Sequence, residues 1–170
     1  RIFTVPEFER IAVLNFDVDP RFPVFNVPHD GGRFPEELMA SVCVPENVFM
    51  DYHERMRDKD LYRLIPRPYY SQHMCQYFEV SRLLCDVERF IGPDELMEQY
   101  GMGFCYEKAF DGTVIKHVTE EAKAAARKYY DEYHARVNKI CDWHKRVLFI
   151  DLHSYTDEIL PPHAKTDGSK

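Results

Sequence analysis

The sequence predicts a layered α/β fold with a largely parallel or mixed central sheet, on three observations. Apolar runs at Phe22 to Val27, Val80 to Val87 and Val147 to Leu152 have strand character, and the last is nearly unbroken, as a strand buried on both faces would be. Helical patterns alternate with these runs. Each run also ends in polar or charged residues, where open α/β sheets bind their ligands.

In chain order, residues 1–20 read as a lead-in segment, and the first strand begins beside Pro20 and Pro23. Gly31 and Gly32 let the chain turn sharply after that strand and approach a substrate. Short helices are expected around Pro35 to Ala40 and Val48 to Leu64, with a turn or two more around Pro93 to Tyr100. Alternation along SRLLCDVERF sets Arg82, Leu84, Asp86 and Glu88 on one face of the second strand and Leu83, Cys85, Val87 and Arg89 on the other. The two arginines would then leave the strand on opposite sides.

The strongest helix starts at Thr119, a cap followed by Glu120 and Glu121, and runs to about His144. Ala122, Ala126, Tyr129, Tyr133, Val137 and Ile140 form its core stripe. A second stripe holds Arg127, Tyr130, Asp131, His134, Asn138 and Cys141, which either faces solvent or aims His134 and Arg127 at the strand ends. Residues 156–170 read as a polar loop. A central parallel strand needs cover on both faces, so the 170 residues read as one domain, incomplete at its carboxyl side.

Composition narrows the function. A net charge of −7 speaks against a nucleic-acid partner, because phosphate binding needs a surplus of Lys and Arg on at least one face. The chain holds no apolar run long enough to span a membrane, and charges interrupt its amino-terminal segment where a signal peptide is apolar. A cytoplasmic protein acting on a small molecule is expected, with no membrane partner. The five cysteines form no CxxC pair and read as free thiols.

The polar residues after the strands are His29 after the first, Asp86, Glu88 and Arg89 after the second, and Asp151 with His153 after the third. Two histidines fixed on two strand ends, with a carboxylate and an open position, are the pattern of a catalytic zinc site. Taken singly, each is as well explained as a polar residue marking a strand end. Asp151 reads either as an acceptor for a histidine or as a partner for a nearby backbone donor. Arginine's planar fork suits a carboxylate, which makes Arg82 and Arg89 candidates for an acidic substrate, with Arg89 the better placed.

These residues lie in five ordered blocks: VPHDGGRFP, DKDLYRLI, SRLLCDVERF, RKYYDEYHARV and FIDLHSY. Together, over about residues 22 to 170, they resemble the N-formylglutamate amidohydrolase family, which is similar in fold to zinc-dependent exopeptidases and acyl-amino-acid deacylases. The resemblance implies an exopeptidase-like three-layer sandwich and zinc-dependent hydrolysis of a linear amide in an N-formyl or N-acyl amino acid. It makes His29 and His153 metal ligands and Asp58 the third, with Glu36 and Asp30 as the other carboxylates in question. Arg89, Arg82 and Asp86 become substrate-pocket residues, and His134 the candidate for proton transfer.

Three positions depart from the family pattern: Glu88 replaces the usual Asn, Asp30 the usual Gly or Ser, and Tyr62 a second acid. The family also continues past PPHAKTDGSK, into strands carrying an Asn-x-Pro-Tyr turn and a late glutamate. Two further readings stay open: a non-catalytic binding member, and an amidase on another amide such as one in peptidoglycan.

Overall fold

The computed structural model describes residues 22–71, 73–144 and 146–154; the lead-in segment and the carboxy-terminal loop lie outside the described residues. Three parallel strands form one sheet in the order β2-β1-β3, with β1 at Phe22–Val27, β2 at Cys75–Tyr77 and β3 at Val147–Asp151. The helices are α1 (Glu36–Met39), α2 (Glu46–Met56) and α3 (Glu120–Trp143), with 3-10 turns at Leu61–Leu64, Arg67–Tyr69 and Glu98–Tyr100. This is an α/β arrangement. Among the described residues no helix is long and apolar enough to cross a membrane.

β1 is central although it contains Pro23, and the hydrogen bonds explain how. In a parallel ladder alternate residues face alternate neighbours. Phe25 N–H donates to Met74 and Phe78 N–H donates to Val27, so odd-numbered residues face β2, while Leu152 N–H donates to Asn26 on the β3 side. Pro23 therefore turns its missing N–H toward β2 at a point where β2 has not begun, since Cys75 pairs with Phe25. Pro28 likewise has no N–H to extend the ladder toward β3. The strand ends there, and His29 follows at once.

The two faces of β1 are covered differently. Phe25 and Val27 are fully buried with Leu61, Ile65 and Leu152, each contributing roughly 1.5–3 kcal/mol by burial. On the other face Asn26 accepts a hydrogen bond from Tyr133 of α3 at 2.6 Å. The stripe expected to be apolar does form the buried side of α3: Ala122, Ala126, Tyr133 and Ile140 are buried, and Thr119 caps the helix by accepting from Ala122 N–H.

The second strand does not form at Val80 to Val87. Residues 81–85 turn on themselves, with Leu84 and Cys85 N–H both donating to Ser81 O, and Asp86 N–H reaches Phe104 O. The buried Lys116 ammonium donates to the carbonyls of Leu83 and Leu84 and to Cys105 Sγ. These groups are satisfied without a ladder, so the branched apolar run is buried as an irregular core segment. The strand is instead the short Cys75–Tyr77. The expected helix to Leu64 ends at Met56, and the one at Pro93 to Tyr100 shrinks to a single 3-10 turn. β3 is also less buried than its composition suggests: it is the outer strand of the described sheet, and Phe149 is 37% exposed.

Gly31 is required for a close approach. The HDGGR segment runs along the chain that follows β2, with Arg33 N–H on Glu79 O and Ser81 N–H on Arg33 O. A Cβ at Gly31 would stand 2.4 Å from the backbone of Phe78 and Glu79.

His53 in α2 supplies an acid-sensitive element. It is 1% exposed, beside Ser81 Oγ at 3.0 Å and edge-on to Phe34. Burial, and then the charge of Arg57, lowers its pKa from 6.5 to about 4. Below about pH 6.5 the unfolded chain takes a proton that the native state refuses, so stability falls by roughly 3 kcal/mol as pH drops to about 4; above that window His53 contributes no slope. Urea midpoints measured from pH 7 to 4 should fall for the native sequence and fall less for His53→Gln.

Candidate metal centre

The ends of β1 and β3 bring His29 and His153 together, with ring centroids 5.2 Å apart. Asp58 joins them from the turn after α2. Its N–H donates to the carbonyl of His29, so the backbone fixes the carboxylate beside that histidine. Asp58 Oδ2 lies 3.0 Å from His153 Nδ1 and 3.5 Å from His29 Nδ1, and Ser154 Oγ donates to Asp58 Oδ1 at 3.4 Å. One ligand atom from each of His29, Asp58 and His153 lies within 4.8 Å of the others, a spacing that can hold a metal ion.

Behind His29 is a buried charge cluster. His29 Nε2 meets Asp86 Oδ1 at 2.9 Å; the carboxylate can only accept, so Nε2 carries the proton. Asp86 Oδ2 accepts from Arg82 Nη2 at 3.1 Å and from Tyr106 OH at 2.9 Å, and Oδ1 accepts from Glu88 N–H. Arg89 Nε approaches the same carboxylate at 3.6 Å. Both arginines thus converge on Asp86 instead of leaving on opposite sides, because the segment turns where a strand would have alternated.

Electrostatics follow from this packing. Burial opposes ionisation of Asp86, but the His29 ring and the Arg82 guanidinium beside it hold its carboxyl well below the usual range. Asp58 is likewise held low against its burial, first by the hydrogen bond from His153 and then by the His29 ring 3.5 Å away. His153 has a carboxylate at each ring nitrogen, Asp58 at Nδ1 and Glu88 at Nε2 at 3.1 Å, which raises its pKa to about 10 with burial opposing.

His29 is the exception. Its Nδ1 is buried and makes no hydrogen bond, while Nε2 is occupied by Asp86. A buried imidazole lone pair without a partner, facing a carboxylate and a second histidine, is a donor set that fits a divalent metal of zinc's type.

The other two carboxylates considered from sequence lie elsewhere. Asp30 accepts from the N–H groups of Asp60 and Tyr62 and so caps the Leu61–Leu64 turn. Glu36 is exposed in the first turn of α1. His134 donates from Nε2 to Val87 O at 2.8 Å, and Arg127 is paired with Asp131 on the surface. His134 lines a cavity of about 270 Å³ together with Asn26, Glu88, Tyr133, Phe149 and Asp151. Asp151 accepts from Asn26 Nδ2 at 2.6 Å. A larger cavity, of about 420 Å³, lies between β2 and the end of α3, and none of its lining residues belongs to the centre.

Tyr106 and Lys116 were not legible as site residues. Tyr106 completes the Asp86 cluster from a loop twenty residues away, and Lys116 anchors the turn that carries it. Neither position carries a local pattern that marks it.

The family model described as N-formylglutamate amidohydrolase matches residues 23–169. No curated protein and no solved structure matches the chain.

Proposed function

Because this chain belongs to the N-formylglutamate amidohydrolase family, we propose that it is a metal-dependent hydrolase of a linear amide, in an N-formyl or N-acyl amino acid such as N-formylglutamate. The observation that carries this reading is the unpartnered Nδ1 of His29, aimed at the place where Asp58 and His153 also converge. In this reading His29, Asp58 and His153 hold the metal, most simply zinc. When bound, such an ion supplies Lewis acidity for the amide carbonyl and makes a water acidic enough to attack near neutral pH.

The chain's own residues supply the rest. Asp86 has no exposed surface and serves His29, keeping the proton on Nε2 and the lone pair on Nδ1. Arg82, Tyr106 and Lys116 hold Asp86 and its loop in place. His134, with Nε2 committed to Val87 O, is left with Nδ1 as an acceptor in the cavity, from which it can carry a proton to the leaving amine. Arg89 takes the substrate's carboxylate, since its buried Nε makes no hydrogen bond. In the same reading the chain belongs to a single amidohydrolase-like domain of exopeptidase-like three-layer architecture, incomplete at its carboxyl side, and the protein is cytoplasmic and acts on a small molecule and on neither nucleic acid nor membrane.

Glu88 and Asp151 both line the cavity and none of its other lining residues is Arg or Lys, so a second carboxylate on the substrate meets negative charge there. Comparing kcat/KM for N-formylglutamine and N-formylglutamate should show the neutral substrate used at least as well. A strong preference for the acidic one would contradict this arrangement. The activity itself is tested by metal analysis alongside hydrolysis of these substrates before and after chelation.

A further inference from the structure

Resting on that reading, we propose that Glu88 is a positioning residue for His153, the counterpart of Asp86 for His29. The two carboxylates flank Val87 on one turn and take the same atom of the two rings: Asp86 Oδ1 lies 2.9 Å from His29 Nε2, and Glu88 Oε1 lies 3.1 Å from His153 Nε2. Both Nδ1 atoms are then directed at Asp58 Oδ2, at 3.5 and 3.0 Å. The two holders are tied to each other, because Glu88 N–H donates to Asp86 Oδ1 at 3.1 Å.

A metal requires a bare imidazole nitrogen, and which one is bare depends on what holds the other. A carboxylate on Nε2 fixes the Nε2–H form, turns Nδ1 to the metal and raises its basicity. The Asp-Val-Glu segment does this for both histidines at once. An amide at residue 88 offers only a neutral acceptor, so the carboxylate found there strengthens the hold on His153. His153 needs it more than His29 does, since its side chain is 37% exposed against 3% for His29.

The test uses zinc alone, titrated against a competing chelator, for the native protein, Glu88→Ala and the near-isosteric Glu88→Gln, the latter covering any failure of the alanine variant to fold. Glu88→Ala should weaken zinc by roughly 10- to 100-fold, with Glu88→Gln in between. The metal-free unfolding midpoints should stay close to native, because Glu88 is partly exposed. Nitrogen-15 NMR of the zinc-loaded protein should show a slowly exchanging Nε2–H on His153 that is lost in Glu88→Ala.

Native zinc affinity and an unchanged His153 signal in both variants would overturn the role of Glu88 and leave the metal reading standing. A native protein that binds no zinc overturns both. Glu88, Asp151 and His153 also lie within 4.8 Å of one another. Two zinc ions per native chain, with one lost in the variants, would make Glu88 a ligand and overturn its positioning role.

Discussion

Asp58→Asn should abolish zinc binding and lower amide hydrolysis by about a thousandfold or more, while leaving a folded protein. Of the three converging groups Asp58 is the one that supplies negative charge, and both histidine Nδ1 atoms face its Oδ2. Losing a Lewis acid worth several kcal/mol in the transition state corresponds to about three or more powers of ten in rate. Asparagine fills the same volume and can still accept from Ser154, and its backbone N–H still reaches His29 O. The measurements are metal content, kcat/KM and a circular dichroism spectrum that matches the native one. Activity retained within tenfold would remove Asp58 from the centre.

Asp86→Ala should cost about 3–5 kcal/mol of stability, because removing one partner strands the others. Asp86 is wholly buried and accepts from His29, Arg82, Tyr106 and its own chain at Glu88. Without it the Arg82 guanidinium, itself mostly buried, loses its carboxylate, and the polar groups around it cannot reach water. For a chain of this size the loss corresponds to about 10 °C in the unfolding temperature. Replacing Arg82 by methionine in the same chain should recover part of it, since an apolar pair can replace a buried ion pair at little cost.

The same cluster gives a sign for acid. Asp86 ionises in the folded state at a lower pH than in the unfolded chain, so its contribution is present above the ordinary carboxylate range and is lost as pH falls through and below it. The Asp86→Ala protein should therefore show a flatter loss of stability below about pH 4 than the native one.

The parts of the fold that the sequence revealed are those whose signals are local. β1 and β3 are short apolar runs, and the proline after β1 marks where His29 must leave the sheet. α3 announces itself by its Thr119 cap and its apolar stripe. Val80 to Val87 has the same apolar richness, yet what decides its shape is distant: the Lys116 ammonium on the carbonyls of Leu83 and Leu84, and Phe104 O on Asp86 N–H. The true β2 is too short to show alternation.

The site divides in the same way. His29 and His153 stand out because each follows a strand, and two neighbouring parallel strands must deliver them to one edge. Asp58 has no such marker; only the DKDLYRLI block pointed to it, and it reaches the centre through a turn fixed by one backbone hydrogen bond to His29. Tyr106 looks like any aromatic in an apolar stretch until the fold closes over Asp86.

A metal held by His29, Asp58 and His153 is the chemical core of this site, and metal analysis coupled to a chelation and restoration cycle is its decisive test. The native protein should carry one zinc-type ion per chain, its hydrolysis of N-formyl amino acids should stop when a chelator removes the ion, and activity should recover when zinc is returned. A folded native protein that cleaves the amide at full rate after complete metal removal, or that binds no divalent ion, would contradict this.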